Sequence, residues 1–212
     1  MTIYLVRHGE TRWNVVRRVQ GRTNSPLTLR GLEQIAAYAK LLKAELGTLD
    51  DVALCASPLA RTQQTASTID ETLPQPDALC SETERLAERY CGDWEGLLFE
   101  QLLERYGESV RFEWRRWDNR VGGDGESLDD VQARARAWLA EPRPAARTIV
   151  VTHGIMSRQF RGAYLGLPPE DVMKLESHTH DRIFKLEDGA VGIVEVPDVE
   201  ALPASRYSMR RS

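Results

Sequence analysis

Cysteine is scarce in this chain, and the three present, Cys55, Cys80 and Cys91, form neither a CxxC pair nor a zinc-ligand series. An odd, scattered set excludes a disulfide framework and a cysteine-built metal centre, leaving buried or half-buried free thiols. Long apolar runs are missing as well, so no segment is suited to span a bilayer. The N-terminus enters a strand at once, without a signal-peptide core, and the expected compartment is the cytoplasm. Positive charge is not in excess: 28 Lys and Arg stand against 32 Asp and Glu, a net charge of −4, which gives no electrostatic footing for nucleic acid. Internal repeats and low-complexity tracts are absent. The one ragged stretch is 203–212, where Arg206, Arg210 and Arg211 read as a mobile tail. What remains is 212 residues with 42% hydrophobic content, enough for one domain with a full core and an inserted cap.

The aliphatic run Ile3 to Val6 ends in Arg7 and His8 and then Gly9, so a buried strand delivers a cation and an imidazole to its own exit. The run Thr148 to Thr152 does the same for His153 and Gly154. Between them, Val52 to Ala56 reads as a strand, with Ser57 as N-cap and Pro58 at the first helical position, which puts Arg61 in the first turn of a helix. Three exits of a parallel sheet lie side by side, so Arg7, His8, Arg61 and His153 can converge where open α/β sheets keep their chemistry. Taken alone, Arg61 reads equally well as a surface arginine.

Residues 9–27 read as a loop wrapped around the first exit. Thr28 opens a helix with Leu32, Ile35, Ala36, Ala39, Leu42 and Leu46 on one face, stopped by Gly47. Residues 79–96 set Glu82, Glu84, Glu88 and Glu95 among Leu79, Leu86, Tyr90 and Trp94. Two helical stretches over 97–121 break the βα rhythm and are assigned to the cap, about 97–125. In the second, Val110, Trp114, Trp117 and Val121 form one stripe, with Arg111 and Arg115 on another face. Arginine among tryptophan can stack nucleic acid, but in an acidic chain it suits a helix whose arginines overlook a pocket. Ser127 and Asp130 make a capping-box start. Ile183–Leu186 and Val191–Val196 form a closing hairpin through Glu187-Asp188-Gly189. His178 and His180 precede it; an HxH pair without a third ligand makes a poor metal site, so they read as loop or strand-entry residues.

Six blocks resemble, in order, the signature of the histidine phosphatase superfamily, which also holds the cofactor-dependent phosphoglycerate mutases. They are LVRHGETRWN at 5–14, RVQGRTNSPLTLRG at 18–31, ASPLARTQQTA at 56–66, ERLAERYCGDWEG at 84–96, GESL at 125–128 and VVTHG at 150–154. The resemblance implies a phosphoglycerate mutase-like three-layer α/β/α sandwich with a mostly parallel sheet. It makes Glu88 the proton donor, by its place two residues after Leu86 and four before Gly92, with Glu84 as runner-up. It also carries Asn14, Gln20 and Gly21 over as the phosphate pocket, and leaves a homodimer open.

The chemistry agrees with the residue types. A phosphomonoester carries about two negative charges near neutral pH, which repel an anionic nucleophile but not a neutral imidazole. His8 is therefore expected to attack phosphorus and become a phosphohistidine. Arg7, Arg61, His153 and the backbone near Gly154 would hold the non-bridging oxygens, with no metal or other cofactor required. Glu88 must be protonated when substrate binds, which the substrate's charge and partial burial could arrange. Similar mutases carry a lysine three residues after the glycine following the acid, where Gly96 is followed here by Leu97, Leu98 and Phe99. They also carry a long insertion where only 120–126 stands. Both departures favour a phosphomonoesterase of the histidine acid phosphatase type acting on a small phosphorylated metabolite. Trp114-Arg115-Arg116 resembles a mutase arginine pair and keeps phosphoryl transfer, or a phosphorylated-acid substrate, as the alternative. Phe99, Arg115 and Arg116 are accordingly expected to line the substrate pocket. A non-catalytic phosphate-binding module is the reading from another class, though such proteins lose a pocket residue and here all are present.

Overall fold

Ile3 and Leu5 bury against one face of the central sheet and Tyr4 and Val6 against the other, the alternation a two-sided strand requires. The computed structural model describes residues 1–73, 81–142, 145–197 and 199. Leu79, Cys80, Arg143 and the expected tail at 203–212 lie outside the described residues.

The strands are β1 (Thr2–Arg7), β2 (Val52–Ala56), β3 (Ser81–Glu82), β4 (Arg147–Thr152), β5 (Arg182–Glu187) and β6 (Ala190–Glu195), in the order β3-β2-β4-β1-β5-β6. The first four in that order run parallel, and β5 and β6 close one edge antiparallel. Asp188 and Gly189, both at positive φ, make the two-residue turn of that hairpin. Helices α2 (Leu29–Leu46) and α3 (Ala60–Thr72) cover one face. Helices α6 (Leu128–Leu139) and α7 (Gly154–Tyr164) cover the other, with Trp138 against Phe160. The fold is a mostly parallel central sheet flanked by helices. Short α1 (Arg12–Val15) follows β1, and α8 (Pro169–Val172) follows α7. No helix among the described residues is long and apolar enough to cross a membrane.

Helices α4 (Phe99–Tyr106) and α5 (Val110–Glu113) sit over their own apolar cluster of Val19, Cys91, Trp94, Leu102, Val110 and Val121.

Three local expectations are corrected. The second helix over 97–121 is a single turn, so Trp117 lies beyond it. The carbonyls of Trp114 and Asn119 are taken by the Arg89 guanidinium at 2.9 and 3.0 Å, and that of Trp117 by the Asp129 N–H at 3.2 Å, which draws them away from a continuing helical ladder. Ser57 does not cap α3: its N–H extends the sheet to Val151 O at 3.0 Å, and Leu59 is the N-cap. On α2 the buried stripe passes through Gln34 and Tyr38, while Leu32 and Ala36 face solvent. The reason lies at Gly9-Glu10, where Gln34 Oε1 accepts from Glu10 N at 2.8 Å and turns the helix toward the loop.

Candidate active site

The strand register places the candidate residues. Arg7 stands opposite Thr152 and Ala56 opposite Val151, so His8, Ser57 and His153 each come just beyond an adjacent strand end. The His8 N–H continues the ladder to Thr152 O at 3.0 Å. The two imidazoles meet with centroids 5.2 Å apart.

Hydrogen-bond partners decide both tautomers. His8 Nδ1 lies 2.8 Å from Gly9 O, which can only accept, so Nδ1 carries the proton and Nε2 keeps its lone pair. Burial, then the Arg61 and Arg7 guanidiniums, hold this ring's pKa well below the usual histidine value, so it is neutral at pH 7. His153 Nδ1 lies 3.2 Å from Arg61 Nε, a donor only, so it accepts there and gives its Nε2–H to Ser57 Oγ at 2.7 Å. Its pKa is likewise held well below the usual value by burial and then by Arg61.

Arg61 is buried, with Nη2 donating to Gly21 O at 2.6 Å and Nη1 to Thr23 O at 2.9 Å. Burial brings its pKa down to about 10, still fully charged at neutral pH. Arg7 donates from Nη1 to His178 O at 2.7 Å and packs beside Gly154, where a Cβ would lie 3.7 Å from Cζ. Three nearby nitrogens are sealed from solvent with no partner: Arg7 Nε, Gln20 Nε2 and His180 Nε2. The His180 ring centroid is 6.2 Å from that of His8, and Gln20 Oε1 is held by Thr11 Oγ1 at 2.9 Å. Arg7 Nε and Gln20 Nε2 are N–H donors; an unpaired buried N–H costs about 1–3 kcal/mol, and a multi-oxygen anion is the ligand that satisfies such groups.

Glu88 reaches the N-terminus of α7, accepting from Ile155 N at 3.1 Å and Met156 N at 3.0 Å, and from Arg89 N at 2.9 Å. Glu84 instead faces solvent, with Arg22 Nη1 3.9 Å away. Asn14 caps α1, its Oδ1 accepting from Thr11 N at 3.0 Å. Phe99 packs into the cluster beneath α4, with the Arg111 guanidinium 5.2 Å from its ring. Trp94 is buried there and stacked on Trp114. Arg116 is exposed and paired with Asp118 at 3.4 Å. Arg115 is exposed too, and its charge acts on Arg158 of α7, which is also within electrostatic reach of Glu88.

The family profile described as the histidine phosphatase superfamily (branch 1) matches residues 3–197. The chain belongs to that superfamily. Among its relatives, a protein named "Probable phosphoglycerate mutase GpmB" from Enterobacter sp. (strain 638) is 36% identical over 181 residues, 79% of this chain and 76% of its own length. The "Metal-independent phosphoserine phosphatase" of Arabidopsis thaliana is 37% identical over 156 residues, 72% of this chain and 63% of its own. A mycobacterial glucosyl-3-phosphoglycerate phosphatase, solved with VO3, superposes with a TM-score of 0.77 at 27% identity, covering 92% of this chain and 96% of that one.

Within this histidine phosphatase fold, Ser57, read from the sequence as an N-cap, and His178 and His180, read as loop or strand-entry residues, stand beside the site residues. His178 holds Arg7 through its carbonyl, and both its ring nitrogens are engaged, with Ser157 Oγ at 2.8 Å and Arg182 O at 3.1 Å, which leaves none for a metal. The available signal was scarcity: the chain has four histidines, and all four are buried.

Proposed function

We propose that the protein is a phosphomonoesterase that hydrolyses small phosphorylated metabolites through a phosphohistidine on His8. The observation that carries this reading is the state of His8, a neutral ring with Nδ1 tied to Gly9 O and Nε2 free, beside two guanidiniums. Nε2 attacks phosphorus in line as the bond to the leaving oxygen breaks, and Glu88 gives that oxygen its proton. Arg7, Arg61, Gln20 and the backbone at Gly21 and Gly154 stabilise the equatorial oxygens without a metal ion, and His153 orients Arg61 through its Nδ1. Water then attacks phosphorus, Glu88 takes its proton, and the P–N bond breaks to release phosphate. Segment 97–125 acts as the cap. The buried free thiol of Cys91 suits a cytoplasmic enzyme.

Three backbone N–H groups, those of Arg89, Ile155 and Met156, hold the Glu88 carboxylate in place.

One observation favours a phosphorylated acid as substrate. Arg115 and Arg158 bring two positive charges together, and among the described residues neither pairs with a carboxylate. Phosphoglycerate mutase-type transfer remains the alternative on the same ground. The test is turnover of p-nitrophenyl phosphate, phosphoserine and 3-phosphoglycerate, with released phosphate and 2-phosphoglycerate both measured. Hydrolysis blocked by vanadate, with an acid-labile phosphoenzyme lost in His8→Ala, is expected. Turnover persisting in His8→Ala overturns the nucleophile, and 2-phosphoglycerate forming far faster than free phosphate overturns hydrolysis.

A further inference from the structure

Glu88 sits on a segment with little structure of its own: a single 3-10 turn at Glu84–Leu86, then chain in neither helix nor strand through Cys91. A general acid needs a fixed position, because an error of about 1 Å can cost about 100-fold in rate. The fixing comes from α6. Arg134 donates from Nη1 to the carbonyls of Glu84, Arg85 and Ala87 at 3.2, 3.1 and 2.8 Å, and from Nη2 toward that of Glu88 at 3.4 Å. Arg22 reaches the same Glu88 carbonyl from the other side, through Nε at 3.4 Å.

One carboxylate holds both arginines. Glu126 takes Arg134 in a two-point fork, Nε to Oε1 and Nη2 to Oε2, each at 2.9 Å, and Arg22 Nη2 at 3.2 Å. Its Oε2 also accepts from Tyr90 N at 2.9 Å, two residues past the acid, and its own carbonyl takes Arg89 Nε at 2.8 Å. The side chains of Glu126 and Arg134 are only 15% and 18% exposed, so the fork is shielded and geometrically strict. Gly125 lets this carboxylate come in, since a Cβ there would overlap the Val121 carbonyl. The GESL block therefore has a task that neither the phosphate pocket nor the fold core accounts for.

We propose that Glu126, acting through Arg134 and Arg22, is the positioning residue for the Glu88 carboxylate. The inference rests on the reading of Glu88 as the acid, and the test separates the two. A nitrophenolate leaves without a proton, whereas an alkoxide needs one, so a displaced acid slows alkyl phosphates selectively. Wild type, Glu88→Gln, Glu126→Gln and Arg22→Ala are compared on p-nitrophenyl phosphate and on the alkyl phosphate that the wild type turns over best. Thermal melting checks that each variant is folded.

For Glu126→Gln, kcat/KM on the alkyl phosphate, which ends at phosphorylation of His8 and so excludes the later base role of Glu88, is expected to fall about 10- to 100-fold, with kcat/KM on p-nitrophenyl phosphate within about 3-fold of wild type. Arg22→Ala, at a side chain 35% exposed, is expected to show the same selectivity at smaller size. If Glu88→Gln is selective but folded Glu126→Gln loses both substrates equally, or neither, the proposal is overturned. If Glu126→Gln does not fold, Arg22→Ala decides, and an unselective or wild-type result overturns it. Equal loss of kcat/KM on both substrates in Glu88→Gln itself would defeat the acid reading instead.

Discussion

Arg61 and His153 fix one another: the guanidinium donates from Nε to Nδ1 at 3.2 Å and so forces the imidazole proton onto Nε2, 2.7 Å from Ser57 Oγ. The remaining Arg61 nitrogens are tied to the carbonyls of Gly21 and Thr23, so one side chain joins β4, α3 and the loop after β1.

A lysine cannot do this, since it has neither the planar fork nor an Nε donor. Arg61→Lys is expected to lower kcat on p-nitrophenyl phosphate by about 100- to 1,000-fold, the range for removing a preorganised donor from a developing anion. Ser57→Ala keeps the Arg61 contact and is expected to cost only about 3- to 10-fold, since a neutral hydrogen bond is worth about 1 kcal/mol. Steady-state kinetics on both variants checks this ordering, and an Arg61→Lys enzyme within about 3-fold of wild type would contradict it.

Acid stability follows from the histidines. His8, His153, His178 and His180 are all buried, and burial is the first cause holding each pKa well below its usual value. In the unfolded chain each takes up a proton near pH 6.5, while in the folded protein each stays neutral until much lower pH. Below about pH 6.5 the unfolded state therefore binds more protons, and stability falls as pH falls, by up to about 1.4 kcal/mol per ring per pH unit. Urea denaturation at pH 7.5, 6.5 and 5.5 is expected to give a midpoint that drops steeply over the last step. A midpoint unchanged across that range would mean that the rings titrate in the native state as they do in the unfolded chain.

Much of this site was legible because its residues sit where strands end, and strand ends are local events. Arg7-His8-Gly9 and His153-Gly154 follow runs rich in β-branched and aliphatic residues, so their place at the strand ends needs nothing beyond β-periodicity and parallel register. Ser57 was misread for the complementary reason. A serine before a proline is locally an N-cap, and only the third dimension reveals that His153 and Val151 occupy its hydroxyl and its N–H. Trp117 failed likewise: its helical spacing is real in the sequence, but Arg89, 25 to 30 residues away in the chain, takes the carbonyls that the helix needed. Long-range side-chain claims on backbone leave no periodic trace.

Gln20 offers a case in which binding and stability should separate. Its Nε2 is buried without a partner, while its Oε1 accepts from Thr11. In Gln20→Leu, removal of the orphaned donor offsets loss of the Thr11 bond, so the free enzyme is expected to hold its stability within about 1 kcal/mol. Inorganic phosphate should nonetheless bind about tenfold more weakly, because a donor to a charged oxygen is worth about 1.5–3 kcal/mol. Titration calorimetry with phosphate, paired with urea melts, measures both. Unchanged phosphate affinity would place Gln20 outside the pocket.

Gly31 and Gly154 both lie in the first turn of a helix, yet their alanine variants are expected to diverge. At Gly154 a Cβ would meet the Arg7 guanidinium at 3.7 Å, an ordinary contact, so Gly154→Ala should be neutral or more stable by up to about 1 kcal/mol from helix propensity. At Gly31 the Cβ would overlap the Glu10 carbonyl, and Glu10 N lies only 2.9 Å away, so the obstruction is backbone and cannot rotate aside. Overpacking of this kind costs about 1–3 kcal/mol. The displaced segment is Gly9-Glu10, whose Gly9 carbonyl holds the proton on His8 Nδ1, so Gly31→Ala should also lower kcat although it touches no substrate. Urea midpoints and steady-state rates on the two variants test the contrast, and a Gly31→Ala protein as stable and active as wild type would show that this close approach is not needed.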